Sequence, residues 1–278
     1  MIPLSVLVTT LNQEANIARC LESVVGWAGE VWVLDSFSTD RTVEIVRHYP
    51  VSFKQRSFDD FASNKNWALE QLPWAHEWVL ILDADEVVPD PLKREIEEAL
   101  RADGKGRAGF YLNRRVFFLG KWLKHCGWYP NWNLRFFRRS LGRYEDRKVH
   151  EHLILQGKAG YLGQDLIHDD QRPLAQWLAR HNQFSSLEAQ ERLALLRKTK
   201  ETGFHGSFFG GPIQRRRFLK EQVFLRLPAK SLLWFLYLYI VQRGFLDGRA
   251  GLHFCLLQGI QEYQVSLKME ELEAKRGP

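Results

Sequence analysis

An α/β fold is predicted here: a mostly parallel sheet with helices on both faces, followed by a C-terminal helical extension. Three observations lead there. Strand-like and helix-like segments alternate through the first hundred residues, the order that builds parallel sheets. The run Trp78-Val79-Leu80-Ile81-Leu82 is apolar throughout, as in a strand covered on both sides. From Pro173 onward the pattern is largely helical. The expected division is a catalytic domain over residues 1–170 and a helical, basic extension over 171–278.

Each element has its own signal. Leu4 to Thr10 is a β-branched, apolar strand. Gln13 to Val25 places Ile17, Leu21, Val24 and Val25 on one helical face. Glu30 to Leu34 is a second strand, ending at Asp35, and Thr39 or Asp40 can cap a helix through Tyr49. Val51 to Arg56 is a weaker strand, and Asp59 to Leu72 is a helix. Pro89-Asp90-Pro91 opens a helix over Leu92 to Arg101, with Ile96 and Leu100 inward. Gly109 to Leu119 and Leu134 to Arg138 read as strands around an aromatic loop, Trp122 to Trp132. Pro173 to Lys198 is a long helix, Gly203 to Gly211 a Gly/Phe-rich break, and the pattern from Pro212 onward is helical.

Composition narrows the class. Ten Trp and eighteen Phe are a high aromatic load for 278 residues, and beyond core packing they suit a sugar face, a membrane interface or a helix seam. Cys20, Cys126 and Cys255 have no ligand spacing, so a reducing cytoplasm fits, without zinc or a disulfide framework. The N-terminus enters a strand directly and has no export-signal pattern. Net charge is +6, unevenly spread: Arg197 to Arg243 holds ten Lys and Arg against two acids, or +8, leaving −2 elsewhere. An anionic surface is the expected partner.

The segment Ser231 to Val241 is about half the ~20 residues a spanning helix needs. It is either a buried helix or an interfacial one. Arg215, Arg216, Arg217, Lys220, Arg226, Lys230 and Arg243, with interleaved aromatics, favour a helix lying on anionic lipid. Nucleic acid is not expected, because these cations are mixed with a long apolar run rather than spread along a polar face.

The chemistry gathers at the C-terminal ends of the expected strands, where open α/β sheets bind ligands. Thr9 to Glu14 follows the first strand, Asp35 to Asp40 the second, and Asp83-Ala84-Asp85-Glu86 the buried one. On an extended backbone Asp83 and Asp85 point the same way, and two carboxylates facing one spot suit Mg2+ or Mn2+. The alternative is an acidic strand end that caps a turn. Asn64-Lys65-Asn66, on the intervening helix, adds a cation.

These segments resemble glycosyltransferase family 2, with its GT-A (Rossmann-like) fold. The likeness lies in Ser5 to Ile17, Cys20 to Val24, Val33 to Thr42, Asn64 to Leu69 and Leu82 to Glu86. Gly120-Lys121-Trp122, Gly127 to Pro130, Leu134 to Arg139, Val149-His150-Glu151 and Gly244 to Gly248 are similar to the lipopolysaccharide-core β-1,4-glucosyltransferase branch. Three departures stand out: Phe37 where that branch usually has Gly, Gln13 where it has Glu, and Asn64 where it has Gln.

The resemblance implies roles. Thr10, Asn12 and Glu14 line the nucleotide pocket, Asp35 accepts from the base edge, Lys65 supplies charge, and Asp83 lies near ribose and metal. Asp85 holds the metal against the diphosphate, and His168 either completes the metal shell or is structural. Arg135 and Arg138 are either phosphate partners through forked hydrogen bonds or a pair of surface arginines. Glu151 is the expected base for the acceptor hydroxyl, with Asp146 and Glu145 next; its alternative is a salt bridge to Arg147 or Lys148. Trp128, Tyr129 and Trp132 either stack on an acceptor sugar or simply pack.

The expected activity is inverting, metal-dependent transfer of a hexose, glucose from UDP-glucose, to the inner-core heptose of lipopolysaccharide or another envelope glycan. The enzyme is expected in the cytoplasm, peripheral on the inner face of the membrane, near a lipid-linked acceptor. A polyprenyl-phosphate-linked acceptor is the near alternative. A nucleotidyltransferase and a non-enzymatic binder of anionic surfaces are the remoter ones; Thr9 to Glu14 contains no glycine, which disfavours the former.

Overall fold

The computed structural model describes residues 1–145, 152–202 and 229–275. The chain forms two compact units, Met1–Lys124 with Trp128–Pro173, and His125–Gly127 with Leu174–Pro278.

The first unit is built on a nine-stranded sheet. Its strands are β1 (Ile2–Thr10), β2 (Ala28–Asp35), β3 (Ser52–Gln55), β4 (Trp78–Asp83), β5 (Glu86–Val87), β6 (Gly109–Phe118), β7 (Lys121–Trp122), β8 (Trp132–Arg138) and β11 (Ala159–Asp169). A separate hairpin is formed by β9 (Gly142–Tyr144) and β10 (Leu153–Leu155). The sheet order is β3-β2-β1-β4-β8-β6-β11-β5, with β7 beside β6. β3, β2, β1 and β4 run parallel, β8 runs against both β4 and β6, and β11 is parallel to β6. The expected α/β class, mostly parallel, is what the chain adopts.

Alternation along the strands divides the core. Leu4, Val6 and Val8 of β1, with Leu80 and Leu82 of β4, face α1 (Ile17–Val24) and α4 (Asp90–Arg101). Leu7, Val79 and Ile81 face the other way, against Ala62, Ala68 and Leu69 of α3 (Phe61–Gln71). Phe136 and Phe137 of β8 are both fully buried, one in each layer. Burying an aromatic ring of this size contributes about 2–3 kcal/mol.

Several boundaries differ from the sequence pattern. α1 starts at Ile17 rather than Gln13, because Asn12 adopts a left-handed φ of +51° and Gln13 O accepts from Asn16 N at 2.9 Å. α2 (Thr42–Val46) is one short turn; Asp40 accepts from Thr42 N at 2.9 Å and starts it. Asp60 caps α3 through Ser63 N at 2.7 Å. β11 has no clean alternation, since Gly163, Gln164 and Asp165 interrupt its apolar face, and pairing with β6 decides it.

The exit of β11 is tied to the start of α1. Asp170 accepts from Asn16 Nδ2 at 3.0 Å and from Arg172 Nε at 2.9 Å, and Asn16 Oδ1 accepts from Gln171 N at 2.8 Å. Burial alone would raise the Asp170 carboxyl, but Arg172 and the Asn16 amide outweigh it and hold it at about 2.

In the second unit α5 (Leu174–Thr202) packs on α7 (Gly248–Ala274). Arg192 bridges Glu188 at 2.7 Å and Glu262 at 2.6 Å. α6 (Lys230–Leu236) runs into a π turn over Tyr237–Val241 and a 3-10 turn over Gly244–Asp247. Gly251 lets that turn lie on α7, since a Cβ there would sit 2.1 Å from Gly244 O. Asp247 accepts from His125 N at 2.8 Å and faces His125 Nδ1 at 2.9 Å. The break expected over 203–211 and the basic residues Arg215, Arg216, Arg217, Lys220 and Arg226 lie outside the described residues. Among the described residues no helix is long and apolar enough to cross a membrane.

The Asp170 tether gives a pH signature. An Asp titrates near 3.9 when unfolded and about 2 here, so its stabilisation is complete above about pH 4 and lost as pH falls through about 2. Asp170→Asn should cost about 2 kcal/mol near neutral pH, and the gap to wild type should close as the pH approaches about 2 in urea titrations. A gap independent of pH would show that the carboxylate charge plays no part.

Candidate active site

The register of the parallel strands sets the first layer of the site. Thr10 pairs with Asp35, and Thr9 with Asp83, so the ends of β1, β2 and β4 form one row at the sheet edge. The loops leaving β1 and β2 are laced together. Asn12 N donates to Ser38 Oγ at 2.8 Å, Thr39 N to Asn12 Oδ1 at 2.8 Å, Gln13 N to Thr42 Oγ1 at 2.7 Å, and Arg41 N to Glu14 Oε2 at 3.1 Å. Asn12 and Glu14 therefore tie the two loops into one wall.

Asp35 is fully buried at the base of this wall. It accepts from Ser38 N at 3.0 Å, from Gln55 Nε2 at 2.9 Å, and from the Ser38 hydroxyl. Thr10 Oγ1 is buried and makes no hydrogen bond among the described residues. Phe37 sits at the tip of the turn with φ +60°. A left-handed backbone costs an L-residue about 1–2 kcal/mol, and glycine avoids that cost.

The acidic segment resolves into three environments. β4 ends at Asp83, the chain turns through Ala84 and Asp85, and β5 begins at Glu86. The alternate-residue geometry expected of an extended strand gives way to this turn. Asp83 Oδ2 meets Arg135 Nη2 at 2.6 Å and Oδ1 lies 3.7 Å from Lys65 Nζ. Glu86 is fully buried; its Oε2 accepts from Asp83 N at 2.9 Å, and its Oε1 faces Arg114 at 3.3 Å and Arg135 at 3.4 Å. Burial alone would raise the Asp83 carboxyl, but Arg135 and Lys65 outweigh it and hold it well below the usual range. Burial disfavours the Arg135 charge, yet Asp83 and Glu86 keep it firmly protonated. Below them the Cys20 thiol is pushed well up by burial, then by Glu86, Asp85 and Asp83, so it stays neutral.

The third acid faces a different strand. β11 pairs with β5 so that His168 lies opposite Glu86, and Asp169 N donates to Asp85 O at 3.0 Å. This brings His168 Nδ1 to 3.4 Å from Asp85 Oδ1. A carboxylate oxygen with an imidazole nitrogen is a donor pair suited to Mn2+, and Mg2+ commonly takes one or two protein carboxylates and fills its shell with substrate phosphates. Asp85 and His168 thus fit a divalent ion whose remaining ligands come from a diphosphate. Among the described residues no three His, Cys, Asp or Glu side chains converge on one point. Asp83, expected as a further ligand, lies between Lys65 and Arg135.

The remaining expected residues divide. Lys65 is buried on α3, over the Tyr144 ring at 5.2 Å, and Asn66 clamps Tyr144 through Nδ2 to its carbonyl at 2.9 Å. Arg138 lies at the other end of β4, pairing with Asp103 and stacking 4.8 Å over Trp78, so the structure does not bring it to the row. Tyr129 donates to Asp165 Oδ2 at 3.2 Å and Trp132 is 40% exposed. Glu151 and Asp146 lie outside the described residues. Glu86 and Arg114 are the residues sequence reasoning missed. Glu86 stood in the quoted motif without a role, and Arg114, inside a strand run, gave no local signal.

A sequence model of Glycosyl transferase family 2 matches residues 5–153. The lipopolysaccharide core biosynthesis glycosyltransferase LpsC of Rhizobium meliloti (strain 1021) is 29% identical over 95% of this chain and 93% of its own. An uncharacterized glycosyltransferase of Rickettsia typhi is 21% identical over 98% of this chain and 88% of its own. The mannosyltransferase PcManGT of Pyrobaculum calidifontis, solved with GDP-Man and Mn2+, superposes with a TM-score of 0.52 at 15% identity, over 96% of this chain and 86% of that one. That likeness is one of fold.

Arg135→Met should strip both acids of their shared cation. Leaving the fully buried Glu86 with Arg114 alone, and the part-exposed Asp83 with Lys65 alone, should cost about 2–3 kcal/mol in denaturant unfolding. A loss under about 1 kcal/mol would mean that solvent or Lys65 already neutralises the pair.

Proposed function

The chain belongs to glycosyltransferase family 2, and from that premise we propose inverting transfer of a hexose, glucose from UDP-glucose, to a lipid-linked glycan of the lipopolysaccharide inner core. The observation that carries this reading is the pairing of two arrangements at one sheet edge: Asp85 beside His168, and Asp83 held by Lys65 and Arg135. The similarity to a lipopolysaccharide core glycosyltransferase over nearly the whole chain supports the choice of acceptor.

In this reading the laced loops of Thr10, Asn12 and Glu14 bind the nucleoside, and Asp35 organises the turn beneath the base. Asp85 and His168 hold a Mg2+ or Mn2+ ion, which when bound supplies positive charge to the departing diphosphate. Lys65 and Arg135 keep Asp83 ionised and fixed, so the β4 end does not reorganise during transfer. Glu151 takes the proton of the acceptor hydroxyl as the anomeric carbon inverts, with Asp146 the alternative. The described residues on either side of that segment are joined, since Glu145 N donates to His152 O at 3.0 Å, and the adjoining Tyr144 lies beside Lys65.

The proposal extends to peripheral binding at an anionic membrane face by a domain running from residue 171 to the C-terminus. Leu232, Ile240, Val241 and Leu246 are all more than half exposed, near Lys230 and Arg243 in the chain. Apolar side chains interleaved with cations suit a helix lying in a headgroup layer.

Two measurements test this. Asp85→Ala should lower UDP-glucose turnover with Mn2+ about a hundredfold or more while the fold survives by circular dichroism. Turnover within a factor of two of wild type would remove Asp85 from the reaction. Replacing Ile240 and Val241 together by Glu should release the protein from phosphatidylglycerol vesicles in sedimentation, and unchanged binding would rule out this face as the contact.

A further inference from the structure

Phe37 is a strained residue whose side chain is not stored in the core. Its φ is +60°, in the region that bulky L-residues avoid, and its side chain is 53% exposed. Its neighbours are fixed on both sides. Ser36 N donates to Thr10 O at 2.9 Å and Ser36 Oγ accepts from Asn64 Nδ2 at 3.0 Å. Ser38 N donates to Asp35 Oδ2 at 3.0 Å and Ser38 Oγ accepts from Asn12 N at 2.8 Å. Burial repays only part of the strain, because more than half of the residue stays exposed. The turn itself is made by Asp35, Ser36 and Ser38, and glycine would make it more easily.

We propose that the Phe37 ring is the stacking face for the base of the donor nucleoside diphosphate, and so a further donor-binding residue of this chain. The inference rests on the reading of the Thr10–Asp35 row as the nucleotide pocket. An exposed aromatic ring at the rim of that row offers a flat apolar surface, and every nucleobase has a π-face to match it. Such a contact is tolerant of base identity, because hydrogen-bond edges are not involved. The Asp35 carboxylate, fully buried and already accepting three hydrogen bonds, fixes the turn that holds the ring. Strained residues held by a surrounding hydrogen-bond network are a common feature of ligand sites.

The test is binding of UDP, GDP and inorganic pyrophosphate, each with Mn2+, to wild type, and of UDP and pyrophosphate to Phe37→Gly and Phe37→Tyr, by calorimetry. Phe37→Gly should bind UDP about tenfold more weakly and pyrophosphate as wild type does, with a melting temperature unchanged or raised. Phe37→Tyr, which keeps the ring, should bind UDP within about twofold of wild type. Equal UDP affinity in Phe37→Gly and wild type would overturn the stacking role alone. A parallel loss of pyrophosphate affinity in Phe37→Gly would overturn it too, by assigning the residue to loop structure. If wild type bound pyrophosphate but neither UDP nor GDP, the nucleotide-pocket reading would fall, and this inference with it.

Discussion

The ion cluster at the end of β4 is the constraint around which the first unit is arranged. Arg135, buried on β8, lies between Asp83 and Glu86, while Lys65 and Arg114 approach from α3 and β6. Two acids, Asp83 and Glu86, face these three cations. Neither set could be buried alone, because an unpaired charge in so dry a place costs several kcal/mol. Each partner comes from a different element, so the cluster fixes the relative positions of β4, β8, β6 and α3. A glycosyl transfer site needs such rigidity, since charge that is already oriented need not reorganise as the diphosphate leaves.

A second feature separates the duties of the acids. Asp83, Asp85 and Glu86 are near neighbours in sequence, yet a turn at Ala84 and Asp85 sends them to different partners. Glu86 is structural, accepting the Asp83 amide. Asp83 is a fixed counter-ion. Asp85 faces His168 from a distant strand and has the donor chemistry for a divalent ion. The short β5 strand and its antiparallel pairing with β11 make that meeting possible.

The loops leaving β1 and β2 follow a different logic, with hydrogen bonds from backbone amides to side chains in place of ion pairs. Asn12, Gln13 and Glu14 cross-link to Ser38, Thr39, Arg41 and Thr42, so two loops behave as one wall. Backbone amides satisfied by side chains let the wall keep left-handed residues at Asn12 and Phe37. In the second unit the exposed apolar residues between Leu232 and Leu246 stand out against the Arg192–Glu262 ion pair that joins α5 to α7.

How much was legible in the sequence depended on whether the signal was local. The alternation of strands and helices, the doubly buried β4 and the acid-rich loops at strand ends were readable, because each is written in a few adjacent residues obeying a fixed period. So was the family, through motifs that lie in those same loops. β11 was not, since glycine and polar residues break its alternation and only its pairing with β6 makes it a strand. The placement of Arg135 at the site and of Arg138 at the far end of β4 was equally hidden. The two are three residues apart on one strand, so alternation sends them to opposite faces, and the pairing with β4 sets Arg138 opposite Trp78. What the sequence determined by itself was the type of fold and the identity of the chemical groups. Which group meets which was decided by the tertiary structure, because pairing across strands depends on register, and register is fixed by contacts between residues far apart in the chain.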